Sequence, residues 1–421
     1  MICFERRNTR KTIMIVMCLV LVACQPGATS VELIPTDSNL KTGSNQTTDP
    51  DHTTTPNLKV ALIGDTDYQA NFEGVLTLIK NEGAELVLHQ GDFDYAHDAH
   101  GFFAKIDTIL GPNFPYLASV GNHDIPSWDT SCVDPDGCYA QFLQDRMARI
   151  GIVPDDPDLN DKMYSVTYGG LKIVFTGEDT AAGDRTYAPY IQSQLASDPH
   201  IWKVCSWHKN QNAMQLGSKG DEVGWGPYET CKDNGAIIAT GHEHSYSRTK
   251  TLTSIQNQTV DIVQHPPADG VPGNPNQLLV GPGKSFVFVS GLGGNSMRNQ
   301  DRCLPFTYPY GGEPGCNYIW AKAYTSDQSG GVEKFGALFI IFNYNGDPTK
   351  AHGYFKISDG MIIDEFDITA AGASIPVPGS RPSLVWLPFI AAVSIARCLT
   401  LAPPPTTRRS GSTRTIRPSV W

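Results

Sequence analysis

The chain has 421 residues, 40% hydrophobic and 18% charged, so it can bury a sizeable core and is not disordered throughout. Its 40 glycines and 30 prolines exclude a coiled coil or simple helix bundle and point to a loop-rich globular protein. The net charge of −11 is uneven: residues 1–23 carry +3, residues 377–421 carry +6, and the body between carries −20. An acidic body repels phosphate backbones, which argues against general nucleic-acid binding; acting on a phosphate ester would need local cations.

Residues 1–23 read as an export signal, with a basic start followed by an unbroken apolar run from Ile13 to Ala23. That run is shorter than the roughly 20 residues a membrane span needs. It ends in Leu21-Val22-Ala23-Cys24, which resembles the bacterial lipoprotein box, so Cys24 is a candidate lipidation site; an ordinary signal peptide is the alternative. Residues 24–57, rich in Thr, Ser, Asn, Asp and Pro, read as a flexible tether behind that cysteine. The expectation is an exported protein, either secreted or held on a bacterial envelope membrane through an N-terminal lipid.

Residues 58–370 read as one catalytic domain. Short apolar runs recur and end in Gly plus a polar residue: 58–63 before Gly64-Asp65, 85–89 before Gly91-Asp92, and 116–120 before Gly121-Asn122. Further runs at 202–205 and 236–239 precede His208 and Gly241-His242. These are predicted as buried strands. Amphipathic stretches at 71–82 and 102–110 predict helices between the early strands, hence an α/β fold with parallel strands. Later strands at 285–290, 337–343 and 361–368 come with fewer helices and predict a second, more antiparallel sheet. Residues 371–421 form a Pro/Arg-rich tail whose apolar run, interrupted by Pro388 and Arg397, makes a poor membrane helix; it reads as a disordered or sorting tail.

Six cysteines fall in the body, as Cys132 and Cys138, Cys205 and Cys231, Cys303 and Cys316. Six allow 15 disulfide connectivities. Nearest-neighbour pairing closes the shortest loops, and no CxxC spacing indicates zinc.

The chemistry concentrates just past the strand ends, where open α/β sheets bind ligands. Asp65, Asp92, Tyr95, Asn122, His208, His242 and His244 mix hard oxygens with imidazoles, a set suited to iron, zinc or manganese and unsuited to calcium. They are too many for one tetrahedral ion and match two adjacent metals sharing a carboxylate. In an extended segment, His242 and His244 point the same way.

The ordered blocks Gly64-Asp65-Thr66-Asp67, Gly91-Asp92-Phe93-Asp94-Tyr95, Gly121-Asn122-His123-Asp124, His208 and Gly241-His242-Glu243-His244 resemble those of the calcineurin-like metallophosphoesterases. Tyr95 and the run to Tyr246-Ser247-Arg248 resemble the purple acid phosphatase branch of that family. The resemblance implies a four-layer α/β/β/α sandwich of two mixed sheets, with a dinuclear site at strand C-terminal ends. It implies two divalent or trivalent ions, iron with zinc or manganese: one held by Asp65, Tyr95, His244 and bridging Asp92, the other by Asp92, Asn122, His208 and His242.

His123 is the candidate to protonate the leaving group, with Asp92 the shared catalytic carboxylate. Asp124 is a candidate to orient the His123 ring, and Tyr246 and Arg248 are candidate supports. Asp67 departs from the branch's usual glycine and either binds the first metal or turns outward as an acceptor behind it. No paired histidines follow His208; Lys209, Asn210 and Asn212 stand there as candidate substrate contacts. Asp94 and Asp98 flank Tyr95 and read as solvated loop acids or, alternatively, as residues that shape the cleft. The expected activity is hydrolysis of small phosphomonoesters by a hydroxide activated between two metals. A phosphodiesterase or nucleotidase using the same site is the alternative, and a non-catalytic cell-surface binding protein a further one. Oligomeric state is not readable from the sequence.

Overall fold

The computed structural model describes residues 55–372 apart from 130–136, 156–161, 178–181, 269–270, 300–315 and 317. The predicted export signal, Cys24, the predicted tether up to residue 54 and residues 373–421 lie outside the described residues. Among the described residues, no helix is long and apolar enough to cross a membrane.

Eighteen strands and five α-helices follow one another along the described chain. The strands are β1 (Leu58–Ile63), β2 (Leu86–His89), β3 (Tyr116–Ala118), β4 (Tyr164–Tyr168), β5 (Leu171–Phe175), β6 (Lys203–Ser206), β7 (Ile237–Thr240) and β8 (Tyr246–Thr249). Two short ribbons come next, β9 (Leu252–Ser254) with β10 (Thr259–Val260) and β11 (Pro267–Ala268) with β12 (Val271–Pro272). The remainder are β13 (Gln277–Val280), β14 (Val287–Ser290), β15 (Trp320–Tyr324), β16 (Gly336–Phe342), β17 (Lys350–Ile357) and β18 (Ile362–Ala370). The helices are α1 (Ala70–Asn81), α2 (Ala99–Ile109), α3 (Tyr139–Arg149), α4 (Ala188–Leu195) and α5 (Gly226–Asp233).

Two seven-stranded sheets result, in the orders β13-β18-β17-β16-β1-β2-β3 and β15-β8-β14-β7-β6-β5-β4. Both are mixed. In the first, β1, β2 and β3 run parallel while β16 to β18 are antiparallel. In the second, β5, β6, β7 and β14 run parallel between antiparallel outer strands.

Strand alternation explains the layering, because successive side chains face opposite ways. Val204, Ile237, Ala239 and Phe288 join the large core shared with the first sheet, whereas Cys205, Ile238 and Val287 face a second core with α4 and α5. On the other side, Phe72, Val75, Leu76 and Ile79 of α1 form one buried stripe at helical spacing. Phe72 stacks on Phe102 of α2 at 5.2 Å. The order is therefore helices, sheet, sheet, helices, the architecture the family resemblance implies.

Polar contacts cross between the sheets as well. Ser290 Oγ donates to Leu62 O at 2.9 Å, and Ser119 and Ser206 hydroxyls meet at 2.8 Å. Arg248 on β8 reaches Asp364 on β18, with Nε to Oδ2 at 2.7 Å and Nη2 to Oδ1 at 3.0 Å. Tyr246 donates to the same carboxylate at 2.8 Å. Both supports thus act between the sheets.

Cys205 and Cys231 form a disulfide from β6 to α5. Cys138 and Cys316 are disulfide-bonded too, while Cys132 and Cys303 lie outside the described residues.

Candidate metal centre

Each sheet sends strand ends to one place. Asp65, Asp92 and Asn122 follow β1, β2 and β3 of the first sheet; His208 follows β6, and His242 and His244 lie between β7 and β8 of the second. Asp65, Asp92, Tyr95 and His242 have φ of 54°, 58°, 56° and 69°, in the left-handed region that side chains seldom occupy. Such strain persists only where the surroundings hold it, and it gathers at functional sites.

Two groups of donors form. In the first, Asp65 Oδ1 lies 3.3 Å from both His244 Nε2 and the Tyr95 hydroxyl, and that hydroxyl is 3.1 Å from His244 Nε2. In the second, His208 Nε2 lies 3.1 Å from Asp92 Oδ2 and 3.1 Å from His242 Nδ1. One donor atom from each of Asp92, His208 and His242 falls within a mutual 4.8 Å.

The outer ring nitrogens are tied down, which fixes ring orientation as it does around bound metals. His208 Nδ1 donates to Gln90 O at 2.7 Å, and His244 Nδ1 bonds to Ser296 Oγ. Glu222 Oε2 sits 2.9 Å from His242 Nε2 but off the hydrogen-bonding axis, so that contact is electrostatic. Asn122 Oδ1 is buried with no hydrogen-bond partner. A buried amide oxygen left unpaired at the end of a site strand is what a cation would satisfy, and the donor set fits first-row metals.

Burial opposes charge on Asp92, and the adjacent His208 more than offsets it, holding the carboxyl well below the usual range. Burial likewise disfavours a charged His208, but Asp92 raises it to about 9. Burial, with Asp65 and Asp92 behind it, pushes the Tyr95 phenol far up, so a phenolate there needs a strong cation beside it.

Asp124 is buried beneath the loops, accepting from Asp92 N and Phe93 N at 2.8 Å and Gly121 N at 2.6 Å. It shapes the two strand-end turns instead of orienting the His123 ring, because its oxygens are committed to backbone. Gly121 is required here, since a Cβ would lie 2.2 Å from Asp92 N and Oδ1. His123 is exposed, its ring 4.5 Å from that of Tyr95, and its N–H donates to Asp92 Oδ1 at 2.9 Å.

Other predicted residues fall elsewhere. Asp67 accepts from Gln69 N at 2.8 Å at the start of α1. Asn210 is buried, donating to Gly241 O at 2.6 Å and accepting from Tyr228 at 3.1 Å, so its amide is unavailable to substrate. The Asn212 amide donates to Lys219 O within its own loop. Lys209 lies 3.9 Å from Glu222. Asp94 is buried and takes three backbone N–H groups at 2.9 Å, and Asp98 caps α2 through Gly101 N at 2.7 Å; neither is a solvated loop acid.

Residues 291–299 were not foreseen. Gly293 N donates to Gly64 O and Asn295 N to Asp65 O, which fastens this loop under the first motif. The signal was present: β14 ends in Gly291-Leu292-Gly293-Gly294, the same apolar-run-then-glycine pattern as the other site strands.

Residues 58–246 match the family model described as calcineurin-like phosphoesterase. Over those residues the chain is similar to the calcineurin-like phosphoesterases. Among solved structures, a purple acid phosphatase isolated from yellow lupin (Lupinus luteus) seeds matches with a TM-score of 0.51 and 17% identity, over 75% of this chain and 55% of that one. PhoD matches with a TM-score of 0.43 and 12% identity, over 76% of this chain and 69% of that one. The lupin likeness is one of fold, and the chain spans about half the length of that enzyme. No curated protein sequence matches the chain.

Proposed function

We propose that the domain hydrolyses phosphomonoesters at a two-metal site, in an exported protein. The observation that carries the reading is the meeting of two donor groups, Asp65, Tyr95 and His244 with Asp92, His208 and His242, joined where His242 N donates to Asp65 Oδ2 at 2.7 Å. Asp65, Tyr95 and His244 would hold one ion, Asn122, His208 and His242 the other, and Asp92 would touch both. Iron paired with zinc or manganese suits these donors. Two cations bound there would lower the pKa of water and polarise the phosphoryl oxygens.

The chain's own groups do the rest. Asp92 is aimed by the His123 N–H and by the turn that Asp124 holds. The exposed His123 ring, tilted against that of Tyr95, stands where it can give a proton to the departing alkoxide. Small phosphorylated molecules fit the reading better than nucleic acid, given the acidic body. Export through the N-terminal apolar run, with lipid on Cys24, rests on the sequence pattern; intact mass of the mature protein checks it.

Metal analysis of purified protein beside a phosphate-release screen of mono- and diesters tests the proposal. The expected result is two ions per chain, hydrolysis of an aryl phosphate, and loss of both in Asp92→Ala and His208→Ala with the fold retained. Metal-loaded protein releasing phosphate from no ester would instead favour a binding protein of the same fold. Release from diesters alone would favour a phosphodiesterase.

A further inference from the structure

Two cations reach the centre from outside the strand-end motifs. Lys219, half-buried in the loop before α5, donates from Nζ to His242 O. Arg298, in the loop after β14, brings Nη2 to 3.4 Å from His244 Nε2. Lys219 lies within electrostatic reach of Arg298, Asp65 and Glu243.

Their placement is built. Arg298 N donates to His244 O at 2.9 Å, and Arg298 O accepts from Ser326 N at 3.0 Å, which fixes the guanidinium's root to the motif itself. Between the cations lies the buried Glu243, the residue that separates the two histidines. Its Oε2 is 4.0 Å from Arg298 Nη1. The Lys219 loop closes over the same carboxylate: a Cβ on Gly217 would meet Glu243 Oε2 at 2.3 Å.

Arg298 keeps donors to spare beyond its contact with His244. Its side chain is 43% exposed, and Glu243 at 4.0 Å is its carboxylate contact among the described residues. A guanidinium matches two phosphoryl oxygens at once, and an ammonium adds a point charge. The body carries −20, so an anionic substrate needs such a local counter-field to enter.

We propose that Lys219 and Arg298 form the anion grip of the site, taking the non-bridging oxygens of a doubly charged terminal phosphate and so favouring monoesters over diesters, with Glu243 positioning both. This rests on the phosphoesterase reading above. A diester phosphate carries one charge fewer and has one oxygen more blocked by a second ester, so it gains less from two cations.

The test compares the parent with Lys219→Met, Arg298→Ala, Arg298→Lys and Glu243→Gln. Bound metal is counted by mass spectrometry, orthophosphate affinity is read by calorimetry, and steady-state rates are taken on an aryl phosphate and a bis-aryl phosphate. Lys219→Met and Arg298→Ala should keep the parent's metal and weaken orthophosphate binding about tenfold or more. Their monoester KM should rise by more than kcat falls, with diester kcat/KM changed less than about threefold. Arg298→Lys should lie between parent and Arg298→Ala, and Glu243→Gln should raise monoester KM in the same sense. Melting temperature identifies any variant that fails to fold, and Arg298→Gln then stands in for Arg298→Ala. Orthophosphate affinity within about twofold of the parent in both charge deletions, or equal losses on mono- and diester, overturns the grip while leaving a metal-loaded phosphoesterase intact. A parent without metal and without ester hydrolysis overturns the reading and the grip with it.

Discussion

Arg248 and Asp364 form a buried, two-pronged ion pair that crosses from one sheet to the other, with bonds of 2.7 and 3.0 Å. The guanidinium also donates to Pro275 O and Asn276 Oδ1 at 2.9 Å and lies 4.2 Å from the Phe366 ring centre. Replacing Asp364 by Ala leaves a buried cation without its counter-charge. A loss of about 3–5 kcal/mol is expected in denaturant unfolding. Because neither residue contacts the donor cluster, the folded fraction should keep its metal content.

Gly121→Ala places a methyl group where Asp92 N and Oδ1 already sit, so the turn bearing Asp92 must shift. A displacement of about 1 Å at a reacting centre costs about 100-fold in rate. The expected outcome is a folded protein with at least that loss in kcat/KM on an aryl phosphate, and with reduced metal occupancy by mass spectrometry.

Tyr95 tests which metal occupies the first group of donors. If that ion is ferric, the loaded protein should absorb visible light through a phenolate charge-transfer band, and Tyr95→Phe should bleach it. A colourless, active, manganese-loaded protein would reject ferric iron and keep the two-metal assignment.

Glu82 joins α1 to β17, accepting from Lys356 at 2.6 Å and Tyr354 at 2.7 Å. Burial works against its charge, but Lys356 and Tyr354 outweigh it and hold the carboxyl below its ordinary value. A depressed folded pKa gives stability that is present above the unfolded pKa of about 4.3 and is lost as pH falls through the folded value. Glu82→Gln should therefore cost about 1 kcal/mol at neutral pH, with the deficit vanishing below the carboxylate range in pH-dependent melts.

Much of the site was legible because parallel strands covered on both faces read as unbroken apolar runs, and their ends stand out as Gly plus Asp, Asn or His. The α1 stripe was legible for a similar reason, since Phe72, Val75, Leu76 and Ile79 repeat at helical spacing. Helix α3 was not: Tyr139–Arg149 mixes polar and apolar residues and buries Arg146 against Phe114 O and Asp107. The misread residues share one cause. Asp124 and Asn210 stand next to site residues in sequence, but tight turns direct their side chains into the loops, where backbone groups claim them. Lys219 follows no strand end and Arg298 stands well beyond the glycines after β14, so only folding brings them to the histidines.

Four of the seven proposed donors follow strands of the first sheet and three follow strands of the second, so the complete set exists only in the docked pair of sheets. An ion gripped from both sides is bound by the native chain and not by the unfolded one, and its binding free energy adds to the free energy of docking. Chelation should then act as a denaturant in its own right: the melting temperature would track free metal concentration even for a variant unable to turn over substrate.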